Sequence, residues 1–293
     1  MKRLIITGAL VLTAVAAAGF VLTRAAPLDA DRFDSIDGDA SRGETVFIAS
    51  GCASCHAAPD AEGDGKRVLA GGQRFDTDFG TFAAPNISPD REAGIGDWTV
   101  TEFASAVTRG VSPEGRHYFP AFPYTSYVHM TDQDVADLWA FWQTLPADAT
   151  ANAAHELAFP FNIRRAIGLW KQIYMPDGFV LSQPETPEVE RGRYLVEALA
   201  HCGECHTARS ALGGMQRSSW LEGADNPSGR GKIPSLVPDD LDWSAKDIAY
   251  YLESGFTPEY DSAGGHMVAV IENFAQLPKS DRQAVAAYLK ALP

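Results

Sequence analysis

Two short stretches of the 293-residue sequence carry its most distinctive chemistry: Cys52-Ala53-Ser54-Cys55-His56 and Cys202-Gly203-Glu204-Cys205-His206. Cys-x-x-Cys-His presents two thiols and an imidazole on one helical turn. That is the spacing at which two vinyl groups of a porphyrin are captured as thioethers and the imidazole meets the iron. These four are all the cysteines of the chain, so none remains for a structural disulfide. Zinc and dithiol redox chemistry use the same residue types. A zinc site wants four clustered ligands, whereas each motif offers three, far apart in the chain. A thioredoxin-like pair sits beside a βαβ pattern, which the sequence lacks. Two such pentapeptides at equivalent points of a repeat predict two covalently bound haem c groups. Cys52, Cys55, Cys202 and Cys205 would attach them, with His56 and His206 as proximal iron ligands.

A distal ligand must come from elsewhere. Methionine sulfur raises a haem potential, and a second imidazole lowers it. Met267, in Gly264-Gly265-His266-Met267, precedes the last helical stretch and is the expected ligand of the second iron, with His266 as its rival. In the first half Met130 is the only methionine between His56 and the interdomain stretch. It stands directly before the helix cap Thr131, whereas Met267 lies 13 residues before Ser280, so the two do not align. Met130 is expected as the first distal ligand, with His117 and His129 as rivals. Met175 and Met215 are expected to pack. Trp98 and Trp243 are expected near the haems, and Arg74 and Arg217 are candidates to pair with propionates. His155 and His201 suggest only surface positions.

The elements that must hold these residues form an internal repeat. Arg42-Gly43 leads into the first motif and Arg191-Gly192 into the second. Gly71-Gly72-Gln73-Arg74 is matched by Gly213-Gly214-Met215-Gln216-Arg217. Asp97-Trp98-Thr99 is matched by Asp242-Trp243-Ser244, and each half closes on Leu-Pro, at 145–146 and 292–293. The organisation read from this is a membrane anchor or signal segment at 1–24 and a tether at 25–40. A first cytochrome c domain follows at 41–146, a linker or strap packed between domains at 147–186, and a second domain at 187–293. The fold class is all-α: two tandem cytochrome c domains, helices and long loops around a haem, after an N-terminal apolar helix. Ser41-x-x-Glu44, Thr99-x-x-Glu102 and Ser280-x-x-Gln283 read as capping boxes, and Gly110 and Gly255 as helix stops.

Lys2 and Arg3 precede an uncharged run from Leu4 to Leu22. A run of that length can just span a bilayer, and the positive residues ahead of it send the body across. Alanines at 16–18 offer a cleavage site, but a secretory apolar core is shorter, which favours an uncleaved anchor. Either way the body is exported, to the periplasmic side of a bacterial inner membrane. The net charge of −14, from 38 acidic and 24 basic residues, excludes a nucleic-acid binder. It suits weak docking steered by basic patches on partner proteins.

At the two motifs, and at Pro85-Asn86-Ile87-Ser88-Pro89-Asp90 and Pro120-Ala121-Phe122-Pro123-Tyr124, the chain resembles the membrane-associated cytochrome c subunits of bacterial periplasmic dehydrogenases. These serve alcohol, gluconate, sorbitol or aldehyde oxidation. The resemblance runs from about Arg42 to Pro293. Many members carry three haems and this chain has two. The resemblance implies Met130 and Met267 as distal ligands. It also implies a role with no substrate chemistry, taking electrons from a dehydrogenase catalytic subunit and passing them to quinone, a cytochrome or an oxidase. A dihaem cytochrome c peroxidase-like enzyme is the alternative, and a purely structural subunit a third reading.

Overall fold

The computed structural model describes residues 2–226 and 231–293. Its helices run α1 Lys2–Leu22, α2 Ala40–Ala49, α3 Cys52–His56, α4 Val100–Arg109, α5 Tyr124–Tyr127, α6 Asp132–Trp142, α7 Ile167–Tyr174, α8 Pro187–Arg193, α9 Gly203–His206, α10 Ala245–Ser254, α11 Met267–Gln276 and α12 Lys279–Lys290. A π-helical turn, Tyr194–Leu199, continues α8. The all-α expectation fits most of the chain, with an addition. The long loops contain β1 Arg74–Thr77 and β2 Gly80–Ala83, an antiparallel hairpin that β3 Glu156–Leu157 extends, and the pair β4 Ala224–Asp225 and β5 Lys232–Ile233. Strands of two to four residues are too short for alternation to show in a sequence.

Helix ends follow local chemistry. Thr99 and Glu102 form the expected capping box, and Gly110, at φ 59°, closes α4 in the left-handed conformation that glycine adopts without strain. The same pairing, Ser244 with Asp247, opens α10. Two expected caps fall elsewhere. At α2 the capping carboxylate is Asp39, which accepts from the Ser41 and Arg42 amides, while Glu44 pairs with Arg67. At α12, Pro278 precedes the first helical residue and Ser280 lies inside the first turn; proline's fixed φ starts the helix.

The Arg-Gly pairs of the repeat mark two close helix crossings. A Cβ on Gly43 would lie 1.9 Å from the Asp137 carbonyl oxygen of α6, and one on Gly192 would lie 1.9 Å from the Ala284 carbonyl oxygen of α12. The neighbouring arginines reach the facing helix: Arg42 donates to Asp137 at 2.6 and 2.8 Å, and Arg191 donates to Asp281 at 3.1 and 2.7 Å. Asp137 is buried and also accepts from the Asp39 amide and Gln133. Burial alone would raise its carboxyl, but these donors hold it below the usual carboxylate value. Its stabilisation is therefore complete above an unfolded-state pKa near 4 and is lost as pH falls through the lower folded value. Asp137→Asn should cost roughly 1.5–3 kcal/mol at pH 7 and flatten the acid limb of the stability profile, as urea unfolding at a series of pH values would show.

Aromatic rings fill the first core. Phe47 meets Phe141 at 5.1 Å and Trp142 at 5.8 Å, and Phe103 meets Trp142 at 5.3 Å. In the other half Tyr288 donates to the buried Glu197 at 2.8 Å and accepts from Trp220 at 2.9 Å. Residues 147–186 tie the surroundings together. Asn152 caps the Asn86 amide at 2.6 Å, Lys171 donates to the Arg109 and Gly110 carbonyls, and Trp170 and Tyr174 bond to Leu212 and Ser210. The same segment meets the end of α1, where Arg165 donates to the Phe20 carbonyl and the Thr23 hydroxyl. The stretch expected as a tether lies on the body: Phe33 is buried and Arg32 pairs with Asp132 at 3.0 Å.

Candidate functional site

Each Cys-x-x-Cys-His stretch is a single helical turn, α3 or α9, entered through a left-handed residue, Gly51 at φ 62° or His201 at φ 45°. After the turn the two chains repeat the same contacts. The His56 carbonyl accepts from the Gly71 amide at 2.8 Å, and the His206 carbonyl accepts from the Gly223 amide at 2.8 Å. The His56 imidazole bonds through Nδ1 to the Pro85 carbonyl at 3.0 Å, and His206 through Nδ1 to the Pro234 carbonyl at 2.8 Å. A carbonyl can only accept, so Nδ1 carries the hydrogen and Nε2 keeps its lone pair for a metal. Sequence reasoning missed these two carbonyls. The spacing Pro-x-x-x-Pro-Asp, at 85–90 and again at 234–239, was the available signal.

The thiols are not tuned as a redox-active pair. Cys52 and Cys202 are half-buried, Cys55 and Cys205 more open, and all four are free. The protein packed around them disfavours the thiolates, pushing Cys52 and Cys202 up to about 12 and Cys55 up to about 11, the last with a contribution from Cys205. A redox-active pair needs the opposite shift, a stabilised thiolate. Among the described residues no three His, Cys, Asp or Glu side chains converge on a metal position. Beside α3 runs an open groove of about 540 Å³ lined by Ala53, Ala57 and Pro59 and by the charged Asp60, Lys66 and Glu272. Two free thiols on one helical turn and an imidazole with Nε2 available fit a c-type haem.

The distal candidates occupy different elements. Met130 is buried, its amide donating to the Tyr127 carbonyl at 3.0 Å just ahead of α6. Its rivals are engaged elsewhere: His117 bonds through Nε2 to the Thr23 carbonyl at 3.0 Å, and His129 stacks on Phe179 at 4.5 Å. Met267 is half-buried as the first residue of α11, and His266 is exposed beside it. Leu277, buried before α12, occupies the place that Met130 holds before α6. Trp98 and Trp243 pack against the core. Arg74 pairs with Glu156 at 2.8 Å and Arg217 donates to the Gly178 carbonyl at 2.5 Å. Two histidines expected at the surface do more. His155 accepts from the Ala83 amide between Phe82 and Phe119, and His201 packs on Tyr127 with ring centres 5.6 Å apart.

The His201 contact is one of several that join the surroundings of the two motifs. Glu204, inside the second motif, accepts from Thr125 at 2.7 Å and pairs with Arg209. Ser54, inside the first, accepts from Asn273 of α11 at 3.2 Å.

Thiol pairs, oriented imidazoles and loop-rich helical surroundings define a c-type cytochrome. Residues 40–146 match the cytochrome c family model. Over 293 residues the chain is 55% identical to a dihaem c-type cytochrome of Cereibacter sphaeroides, covering all of this chain and 99% of that one. The chain belongs to the dihaem c-type cytochromes, electron-transfer proteins with covalently bound haem c rather than substrate-converting enzymes. It is also 36% identical over 259 residues to the cytochrome subunit of fructose dehydrogenase from Gluconobacter japonicus, and 35% identical over 265 residues to the cytochrome c subunit of gluconate 2-dehydrogenase from Pantoea cypripedii. Each alignment covers 86% of this chain, but 52% and 59% of those subunits, so the chain spans little more than half their length. The peroxidase alternative finds no support among these relatives.

Proposed function

We propose that residues 41–146 and 187–293 are two tandem cytochrome c domains forming a two-step electron wire. Cys52, Cys55, His56 and Met130 hold one haem, and Cys202, Cys205, His206 and Met267 hold the other. Each haem, when bound, supplies a ferric/ferrous couple whose potential depends on its axial ligands and burial. The protein's part is positional. The Pro85 and Pro234 carbonyls fix the imidazoles, and the contacts of Tyr127 with His201 and of Thr125 with Glu204 fix one motif against the other. Electrons enter from the catalytic subunit of a periplasmic dehydrogenase, as the names of the fructose and gluconate relatives suggest, and leave to quinone, a cytochrome or an oxidase. Helix α1 holds the chain on the periplasmic face of the inner membrane. Its segment Ile5–Leu22 has mean hydropathy 2.4 and no buried residue, and it meets the body only near its C-terminal end, where Arg165 reaches Phe20.

The observation that carries this reading is the set of contacts joining the surroundings of the two motifs, Tyr127 with His201, Thr125 with Glu204 and Ser54 with Asn273. A dehydrogenase co-purifying from solubilised membranes should, given its substrate, reduce both haems as fast as it turns over. Reduction of one haem only, or slower than turnover, would sink the wire. The ferric methionine–iron absorbance should lose about half its intensity in Met130→Ala and the other half in Met267→Ala, each methionine serving one iron.

A further inference from the structure

We propose that the strap around α7 lies against the membrane that α1 enters, its exposed apolar side chains seated among lipid headgroups and upper acyl chains. This placement rests on the anchor reading of α1. Outside α1, ten large hydrophobic residues are exposed among those described. Five belong to the strap: Phe159 (78%), Phe161, Ile163, Leu169 (51%) and Ile173 (66%). A sixth, Leu212, accepts the Trp170 indole hydrogen with its carbonyl. Isolated exposed hydrophobics are ordinary, whereas a concentration in one segment marks an interaction surface.

Where that segment sits decides what covers it. α7 turns Gly168 and Lys171 inward: a Cβ on Gly168 would lie 2.6 Å from the Thr23 carbonyl oxygen, and Lys171 lies 4.6 Å from the Tyr124 ring centre. Leu169 and Ile173, four residues apart, share its outward face. Arg165, just before α7, stacks on Phe20 at 4.1 Å and donates to the Phe20 carbonyl, while His117 binds the Thr23 carbonyl. The carbonyls that a helix leaves unpaired at its C-terminus are thus held by the strap and its neighbours. The exit of the apolar helix is built into the same patch, and a bilayer around α1 reaches the outward face of α7. Residues 159–175 contain no acid, in a chain with 38 acidic residues, so nothing in the strap repels anionic headgroups, and the exposed Arg165 adds positive charge beside it.

The test uses the full haem-loaded chain in vesicles of phosphatidylethanolamine and phosphatidylglycerol. Because thioethers consume the native cysteines, Leu169→Cys, Ile173→Cys and, as a control on α10, Tyr250→Cys each provide one thiol for a nitroxide label. Oxygen partitions into lipid and a nickel chelate stays in water. The oxygen-to-chelate accessibility ratio at 169 and 173 should exceed that at 250 by about threefold or more, as for side chains seated at the headgroup boundary. Equal ratios with α1 retained, by intact mass, overturn the strap placement and leave the anchor standing. A mature chain lacking residues 2–22 overturns the anchor and the placement with it. Low access to both probes at 169 and 173 marks a protein contact, a second copy of the chain, and overturns the lipid assignment.

Discussion

Replacing Cys52 and Cys55 together by alanine should leave a chain that carries one porphyrin and has lost the cooperative unfolding of its first half. The reason is the shape of that half. Between α3 and α4 lie more than forty residues with one short helical turn and a hairpin, whose large apolar side chains are buried only at Leu69, Phe82 and Ile95. A porphyrin burying about 400 Å² of apolar surface contributes on the order of 10 kcal/mol at 25 cal/mol per Å². That equals the whole stability of an ordinary domain, about 5–15 kcal/mol. Without thioethers, the proposed ligands His56 and Met130 would have to retain the haem by coordination alone, through maturation and export. Intact mass should show one porphyrin fewer, and helical dichroism should fall by the share of α2 to α6. Cys202→Ala with Cys205→Ala should mirror this in the other half. A double variant that keeps two porphyrins, or keeps its full thermal transition with one, would refute the assignment of Cys52 and Cys55.

What was legible in the sequence divides along a physical line. Chemistry that depends on near neighbours in the chain was readable: the two pentapeptides, the Thr99–Glu102 cap, and the glycines that close α4 and α10. The repeat pointed to Arg42-Gly43 and Arg191-Gly192 without saying why, because their partners, Asp137 and Asp281, lie some ninety residues away. The Pro85 and Pro234 carbonyls, 29 and 28 residues from His56 and His206, were hidden because any residue offers a backbone acceptor, and only the repeated Pro-x-x-x-Pro-Asp spacing marked them. His201 looked idle because its partner, Tyr127, belongs to the other half, and nothing local to His201 announces an interface. The capping reading at Ser41 failed by two residues because Asp39, also a good cap, competed for the same amides and the carboxylate of Glu44 found Arg67. Short strands escaped notice because pairing with a distant segment, as β2 does with β3, creates them where local pattern does not.

Gly43→Ala and Gly192→Ala should each destabilise the protein, although alanine is the better helix former. Propensity alone predicts a gain of about 1 kcal/mol for either change. Against it stands the crossing. The new methyl carbon would sit 1.9 Å from a backbone oxygen and 2.5 or 2.6 Å from its carbonyl carbon, atoms that move only if a whole helix moves. Separating packed helices by the needed ångström or more costs about 1–3 kcal/mol from overpacking and lengthens the Arg42–Asp137 or Arg191–Asp281 bonds as well. The clash therefore wins, and a net loss of about 2 kcal/mol is expected for each variant. The consequence extends beyond stability in the first half. α2 runs into the first motif with only Ser50 and Gly51 between, so displacing α2 shifts α3 and weakens the bond of His56 to Pro85. Gly43→Ala should accordingly move the midpoint potential of one haem and not the other, while Gly192→Ala, acting through α8 and the π-helical turn, should move the second. Gly178, where an added methyl carbon would meet nothing within 4 Å, serves as the control and should tolerate alanine within about 0.5 kcal/mol. Denaturant melts of the three variants, with potentiometric titration of each, decide the matter: a stabilised Gly43→Ala would mean that the helices are not in contact there.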